Sequence, residues 1–363
     1  MDNGFYMPVR LVSGDNCVRK NAQLFAAFGK TALIVCGKSA ASNGALKDVR
    51  AALESNRQNA SVFDEIPQNP GTETVVRGAV AARTVCADFI VAIGGGSPMD
   101  AAKAIAMLAC QDAPEGIFDH KITPDVLPMI HVPTTAGTGS EVTPYAVITR
   151  DDLQTKQSIS APYLFPRIAF LDARYTATMP QEVTVNTALD ALSHAVEGML
   201  SVRSGEISDF YAERSISLLM GEYDNLLAGT YSMETRKNLL FGSTLAGMVI
   251  ANTGTTPVHG MGYSLTYFCG VPHGRANGLL LAEFVKECEK IWQGSTRKIF
   301  NALGTDAEGF KQKLKALLGK KKKFPEGQLR DFAARASKNR NIRNCRVPFT
   351  EQNLYNVLKK SVG

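Results

Sequence analysis

Histidine is scarce in this chain and tryptophan scarcer, and there is neither a paired-cysteine motif nor a long apolar run. Each absence removes a class of protein. The seven cysteines, Cys17, Cys36, Cys86, Cys110, Cys269, Cys288 and Cys345, are odd in number and scattered, with no CxxC pair. That pattern speaks against a disulfide frame and a zinc knuckle, and for reduced thiols. Cys36 sits in an apolar run and reads as a packing residue. No apolar stretch approaches the ~20 residues that cross a bilayer, and the start, Met1-Asp2-Asn3-Gly4-Phe5-Tyr6, lacks the basic-then-apolar layout of a signal peptide. The expectation is a cytoplasmic protein without a membrane partner. The single tryptophan, Trp292, lies well before the run Lys320-Lys321-Lys322-Lys323, and no aromatic residue interleaves the lysines. With a net charge of only +6, that run reads as a solvated helix terminus, and nucleic acid is not an expected partner.

What is present is ordinary globular material, 45% hydrophobic and 20% charged, and 363 residues suffice for two domains with separate cores. The first half alternates short apolar runs with helical patterns. Strands are expected at Thr31–Cys36, Ser61–Asp64, Phe89–Ile93, Met129–Val132 and Ile168–Leu171, and helices at 45–55, 72–85 and 98–110. Continuously apolar strands separated by helices predict a mostly parallel sheet covered on both faces. After about Thr178 apolar residues recur at helical spacing, as in 210–220, 237–251 and 279–291. The expected division is an α/β domain over 1–178 and an all-α domain over 179–363.

Two loops follow strand ends. The first, Gly94-Gly95-Gly96-Ser97-Pro98-Met99-Asp100, runs into a helix. Pro98 suits a first helical turn, and the free N–H groups and positive dipole end of that turn make an anion site that fits a pyrophosphate. A triple glycine alone is equally a tight strand–helix turn. The second loop, Pro133-Thr134-Thr135-Ala136-Gly137-Thr138-Gly139-Ser140-Glu141-Val142, is dense in hydroxyl and glycine residues where an α/β sheet presents its ligand crevice. The two together favour a nucleotide site.

Asp190 and His194, spaced i, i+4, share one helix face. Alone, such a pair is usually a solvent-facing or capping pair. His259, in Thr256-Pro257-Val258-His259-Gly260, and His273, in Pro272-His273-Gly274-Arg275, lie in glycine-rich helix starts. Three of the five histidines thus fall in these segments; His120 and His131 read as hydrogen-bonded core residues. A carboxylate with three imidazoles suits divalent iron or zinc and leaves room for a substrate oxygen, whose pKa the metal lowers.

In these segments the chain resembles the iron-containing alcohol dehydrogenases, in particular members that act with NADP on small alcohols and diols such as 1,3-propanediol or butanol. The resemblance runs from Phe5 to the Pro348-Phe349-Thr350 segment. It implies a Rossmann-like N-terminal dinucleotide domain and a C-terminal helical metal-binding domain, a dehydroquinate synthase-like architecture. It implies Asp190, His194, His259 and His273 as metal ligands and catalytic centre, and interconversion of a small primary alcohol or diol with its aldehyde by hydride transfer. Cofactor contacts are implied at Gly95, Gly96, Ser97 and Asp100, at Thr134, Thr135 and Thr138, at Asn69 and Lys156, and at Tyr145 and Leu171 beside the nicotinamide and ribose. The metal would be Fe2+, with Zn2+ as the alternative, and the assembly a homodimer or higher homo-oligomer.

Two positions depart from the family pattern. Tyr263 stands where many members have a histidine four residues after the third ligand, and with an unperturbed pKa of ~10 it is a poor base at neutral pH. At the end of the first apolar strand, where NAD-preferring members often have an aspartate, the chain reads Gly37-Lys38-Ser39. A carboxylate there would repel a 2′-phosphate, so its absence predicts NADP(H) as the preferred cofactor, with NAD(H) the alternative. Two rival readings are a zinc-dependent glycerol dehydrogenase-like polyol oxidoreductase and a dehydroquinate synthase-like lyase. The Thr-Thr-Ala-Gly-Thr-Gly-Ser-Glu loop speaks against the first, and the lack of a basic cluster around the metal motifs against the second.

Overall fold

The structure, a computed structural model, describes residues 4–113, 116–320 and 322–363. The expectations for Met1-Asp2-Asn3 and for Lys321 fall outside these residues. The chain forms two compact units: Met7–Met179, and Pro180–Gly363 together with the stretch ending at Tyr6.

In the first unit the strands are β1 (Arg10–Ser13), β2 (Thr31–Cys36), β3 (Asn59–Phe63), β4 (Phe89–Gly94), β5 (Met129–Pro133), β6 (Tyr145–Arg150), β7 (Thr155–Ser160) and β8 (Ile168–Leu171). The helices are α1 (Cys17–Lys20), α2 (Ala45–Ser55), α3 (Thr72–Thr84) and α4 (Gly96–Cys110). Six strands make one parallel sheet in the order β1-β8-β5-β4-β2-β3. The central strands β4 and β5 are buried along their whole length, which is why they are written as apolar runs, broken in β5 only by the buried His131. One core fills the side of the sheet around Leu33, Val75, Ile90 and Ile105, and another the side around Phe25, Ile34, Leu53 and Phe170. After β3 the chain crosses back past β2, so the order reverses between β2 and β4. In open α/β sheets such a switch point, at the carboxyl ends of the strands, is where ligands bind.

Two parts of this unit differ from expectation. Strand β1, half exposed at the sheet edge, carries too short an apolar signal to be read alone. Strands β6 and β7 form a separate antiparallel hairpin, whose second strand, Thr-Lys-Gln-Ser-Ile-Ser, is mostly polar. Its turn places Gln154 at φ 50°, without the Asn-Gly or Gly signal that usually marks a hairpin.

The second unit is helical: α5 (Gln181–Met199), α6 (Glu206–Gly221), α7 (Tyr223–Ala228), α8 (Met233–Thr253), α9 (Pro257–Cys269), α10 (His273–Glu289), α11 (Gln293–Leu303), α12 (Ala307–Leu318), α13 (Glu326–Ser337), α14 (Arg340–Arg343) and α15 (Glu351–Val362). Helix α5 is buried over nearly all of its last 16 residues and is the axis of the unit. Helix α10 reaches it through glycines: a Cβ on Gly274 would lie 1.9 Å from the Asn186 carbonyl oxygen, and one on Gly278 2.9 Å from Leu189 Cδ1. No side chain fits at either place, so the two backbones approach closely. Lys320, Lys322 and Lys323 are exposed after the end of α12. Among the described residues no helix is long and apolar enough to cross a membrane.

Candidate functional site

In the first unit, register brings the expected cofactor positions at the ends of β2, β4, β5 and β8 to one edge, while Tyr145 and Lys156 lie on the separate β6–β7 hairpin. Cys36 pairs with Ile93, Gly94 with Pro133, and Ile130 with Ile168. The segments following β2, β4 and β5 therefore leave the sheet at one level, and Leu171 ends β8 beside them. A Cβ on Gly95 would stand 2.7 Å from Thr135 Oγ1, and one on Gly96 2.7 Å from Thr138 Cγ2. The glycines thus let the threonine loop seat directly on the start of α4. Thr134 donates its N–H to the Gly94 carbonyl at 2.9 Å, tying the loops further. Ser97 accepts a bond from the Asn69 N–H at 3.2 Å, and Asn69, at φ 54°, takes the Lys156 ammonium on its side-chain oxygen at 2.5 Å. Gly37, in extended conformation, lies with its Cβ direction 3.9 Å from Pro98 Cγ. Lys38 and Ser39 beyond it are exposed.

Asp100 sits differently from its neighbours in the motif. Its carboxylate accepts from Ser140 Oγ at 2.5 Å and from the Val147 N–H at 3.1 Å, so both oxygens are engaged within the unit. Burial raises its pKa, opposed by Lys103 and these bonds. Lys103, fully buried on α4, donates to Ser140 Oγ at 2.7 Å, Thr143 Oγ1 at 3.2 Å and the Tyr145 carbonyl at 2.7 Å. Burial lowers its pKa to about 8 against the pull of Asp100 and Glu141. This pair fastens the threonine loop and the start of β6 to α4. Lys103 was not singled out from the sequence, although a lysine within Ala-Ala-Lys-Ala-Ile-Ala-Met is the signal that could have shown it. His131 is fully buried, and burial drives its pKa well below the imidazole value, so it is neutral. His120 is hydrogen-bonded to Gln111 at 3.0 Å but is only partly buried.

In the second unit three of the expected ligands, Asp190, His259 and His273, converge, and His194 lies against His259. Asp190 and His194 lie one turn apart on α5, His259 is third in α9, and His273 opens α10. His259 Nε2 stands 2.9 Å from His194 Nε2 and 3.7 Å from Asp190 Oδ1, and His273 Nε2 is 3.8 Å from the same oxygen. Donor atoms of Asp190, His259 and His273 all lie within 4.8 Å of one another, and His194 joins them through His259. Ligands about 2.1 Å from one ion in tetrahedral array are about 3.4 Å apart, and the observed separations bracket that value. The Glu197 carboxylate contacts His259 Nδ1. Burial opposes charge on His259, but Glu197 and Asp190 raise its pKa, and Asn277 Nδ2 lies 3.1 Å from His259 Nε2 and 3.3 Å from His273 Nε2; a carboxylate with clustered imidazoles is the donor set that suits divalent iron or zinc. Burial opposes charge on Asp190, but the three imidazoles outweigh it and hold the pKa below the usual carboxylate range. Asn277, fully buried four residues after His273, donates to Asp190 Oδ1 at 2.9 Å. Tyr263 stacks on the His273 ring, with centroids 5.6 Å apart and planes 11° from parallel. Asn277 and Glu197 were not expected as site residues. Glu197 falls seven residues after Asp190 and three after His194 on the same stripe of a helix whose second half is largely apolar, and that spacing is its sequence signal.

A parallel sheet with loops at its switch point, in one chain with a helical unit that gathers a carboxylate and imidazoles, is the arrangement expected of an enzyme that uses a nucleotide and a divalent metal. The family comparisons make it specific. Residues 8–173 match the iron-containing alcohol dehydrogenase model and residues 184–362 the C-terminal model of the same family, and the chain belongs to the iron-containing alcohol dehydrogenases. It is 33% identical over 284 residues to the 1-propanol dehydrogenase of Salmonella typhimurium, covering 78% of this chain and 73% of that protein. It is 31% identical to the lactaldehyde reductase of Escherichia coli, covering 77% and 73%. An iron-containing alcohol dehydrogenase from Thermotoga maritima superposes over 99% of both chains with a TM-score of 0.91 and 35% identity.

Proposed function

We propose that this alcohol dehydrogenase interconverts a small primary alcohol or diol with its aldehyde, preferring NADP(H) to NAD(H), at a divalent iron held by Asp190, His194, His259 and His273. The observation that carries this reading is the convergence of Asp190, His259 and His273, with His194 Nε2 2.9 Å from His259 Nε2. When bound, the metal supplies Lewis acidity that lowers the pKa of an alcohol, and the nicotinamide supplies the hydride chemistry.

The chain's own residues do the positioning. The N–H groups at the start of α4, around Gly95, Gly96 and Ser97, hold the pyrophosphate. Thr134, Thr135 and Thr138 offer hydroxyls to phosphate and ribose oxygens, and Asn69 with Lys156 closes the loop beside Ser97. Asp100 contributes from beneath by fixing the threonine loop through Ser140. Tyr145 and Leu171 flank the nicotinamide end. Gly37 leaves space for a 2′-phosphate, with Lys38 and Ser39 as its cationic and hydroxyl partners. Lys103, with its three bonds, keeps the loop in place.

The test is oxidation of NADPH and NADH by a panel of short aldehydes, followed by the absorbance of the reduced nicotinamide. Metal-dependent turnover with propanal-sized aldehydes, at a higher kcat/KM for NADPH, is expected. No turnover with any alcohol or aldehyde in either cofactor would refute the reading.

A further inference from the structure

Glu197 is more deeply engaged than a helix carboxylate needs to be. It is fully buried, and among the described residues its one ion-pair partner by distance is the imidazole of His259. Its Oε1 accepts from Thr256 N and Thr256 Oγ1, both at 2.8 Å, from Val258 N at 3.0 Å and, more weakly, from His259 N at 3.4 Å. The Val258 and His259 N–H groups are orphan donors of the first turn of α9, whose own N-cap residue Thr256 makes no side-chain cap. Its Oε2 meets His259 Nδ1. One carboxylate on α5 thus closes the end of α9 with one oxygen and orients the imidazole of that helix with the other.

We propose that Glu197 is a positioning residue for the metal centre: it fixes His259 in the tautomer that presents Nε2 and locks α9 in register with Asp190 and His194. The inference rests on the metal assignment made above. A buried carboxylate is costly unless its lone pairs are used, and here each oxygen has a donor. Histidines that ligate metals commonly give their other ring N–H to a carboxylate, and loss of that partner typically costs about 10- to 100-fold in metal affinity or activity. A glutamine cannot take over both tasks. Its carbonyl can serve the α9 N–H groups or His259, and its NH2 then faces a donor.

The experiment is Co2+ or Zn2+ affinity, measured by chelator competition on wild type, Glu197→Gln and Thr256→Val, alongside the melting temperature of the metal-free proteins. Saturable, stoichiometric binding by the wild type tests the metal assignment separately. Given that binding, Glu197→Gln should weaken metal affinity about 10- to 100-fold and change the Co2+ visible spectrum. Thr256→Val removes one hydrogen bond to Oε1, leaves His259 its partner, and should lower the melting temperature with little change in affinity. Wild-type affinity in Glu197→Gln would overturn the proposal. So would an equal loss in Thr256→Val, since the effect would then come from the helix cap alone. If Glu197→Gln does not fold, Glu197→Asp decides: weaker metal binding supports the proposal, and wild-type affinity refutes it.

Discussion

Replacing Gly37 with Asp should turn the cofactor preference. The new Cβ would lie 3.3 Å from the Ile66 carbonyl oxygen and 3.9 Å from Pro98 Cγ, tight on one side but free of a hard clash. The backbone there is extended, φ −96°, a conformation any residue adopts, so the fold should survive at a cost of about 1 kcal/mol or less. The carboxylate would stand at the carboxyl end of β2, on the switch-point edge and beside the start of α4. Two unit charges about 4 Å apart repel by about 1 kcal/mol in water and about 4 kcal/mol at an effective dielectric constant of ~20. At ~1.4 kcal/mol per tenfold step, that range spans roughly fivefold to several hundredfold. We expect kcat/KM for NADPH to fall about tenfold or more, with NADH use kept or improved, because a repulsive element rejects a competitor more strongly than a lost contact does. Steady-state kinetics with both cofactors, on wild type and Gly37→Asp, decide the matter. A wild type that favours NADH, or a variant that loses both cofactors equally, would refute the reasoning.

Two other substitutions have definite expected outcomes. Tyr263→Phe keeps the ring stacked on His273 and removes only a hydroxyl of high intrinsic pKa, so most of kcat should remain and KM should carry the change; a loss of several orders of magnitude in kcat at unchanged metal content would contradict this. Gly274→Ala drives a methyl group to within 1.9 Å of the Asn186 carbonyl oxygen, which must push α10 off α5. The expected cost is at least about 1–3 kcal/mol, read as a melting temperature several degrees lower together with reduced metal occupancy, and a variant that matches wild type in both would contradict it.

The parts of the molecule that were legible from sequence are those where burial writes itself as a pattern. Strands β2, β4, β5 and β8 lie inside a parallel sheet and are mostly apolar, His131 in β5 being the one polar residue within a run; the ends of α2 were equally plain. Strand β1 and the hairpin β6–β7 escaped because half-exposed or polar strands carry no such run, and their pairing partners are remote in sequence. At the site, Asp190 and His194 share a helical period, whereas bringing His259 and His273 to them depends on how α9 and α10 meet α5. Sequence marks those histidines by their glycine-rich helix starts, but ties them to Asp190 and His194 only through the family pattern. Glu197, Asn277 and Lys103 look like solvent-facing helix residues when read singly; tertiary packing buries them and makes them hold other groups. Asp100 shows the converse, a motif residue whose oxygens are spent inside the unit.

The central claim is that Asp190, His194, His259 and His273 hold a catalytic divalent metal. Metal analysis of wild type and His273→Ala, both purified without oxygen, paired with aldehyde reduction before and after chelation, tests it most directly. The claim predicts near-stoichiometric divalent metal, mainly iron, in the wild type, lost together with turnover on chelation and in the folded His273→Ala protein. A His273→Ala protein that keeps full activity after chelation would contradict it.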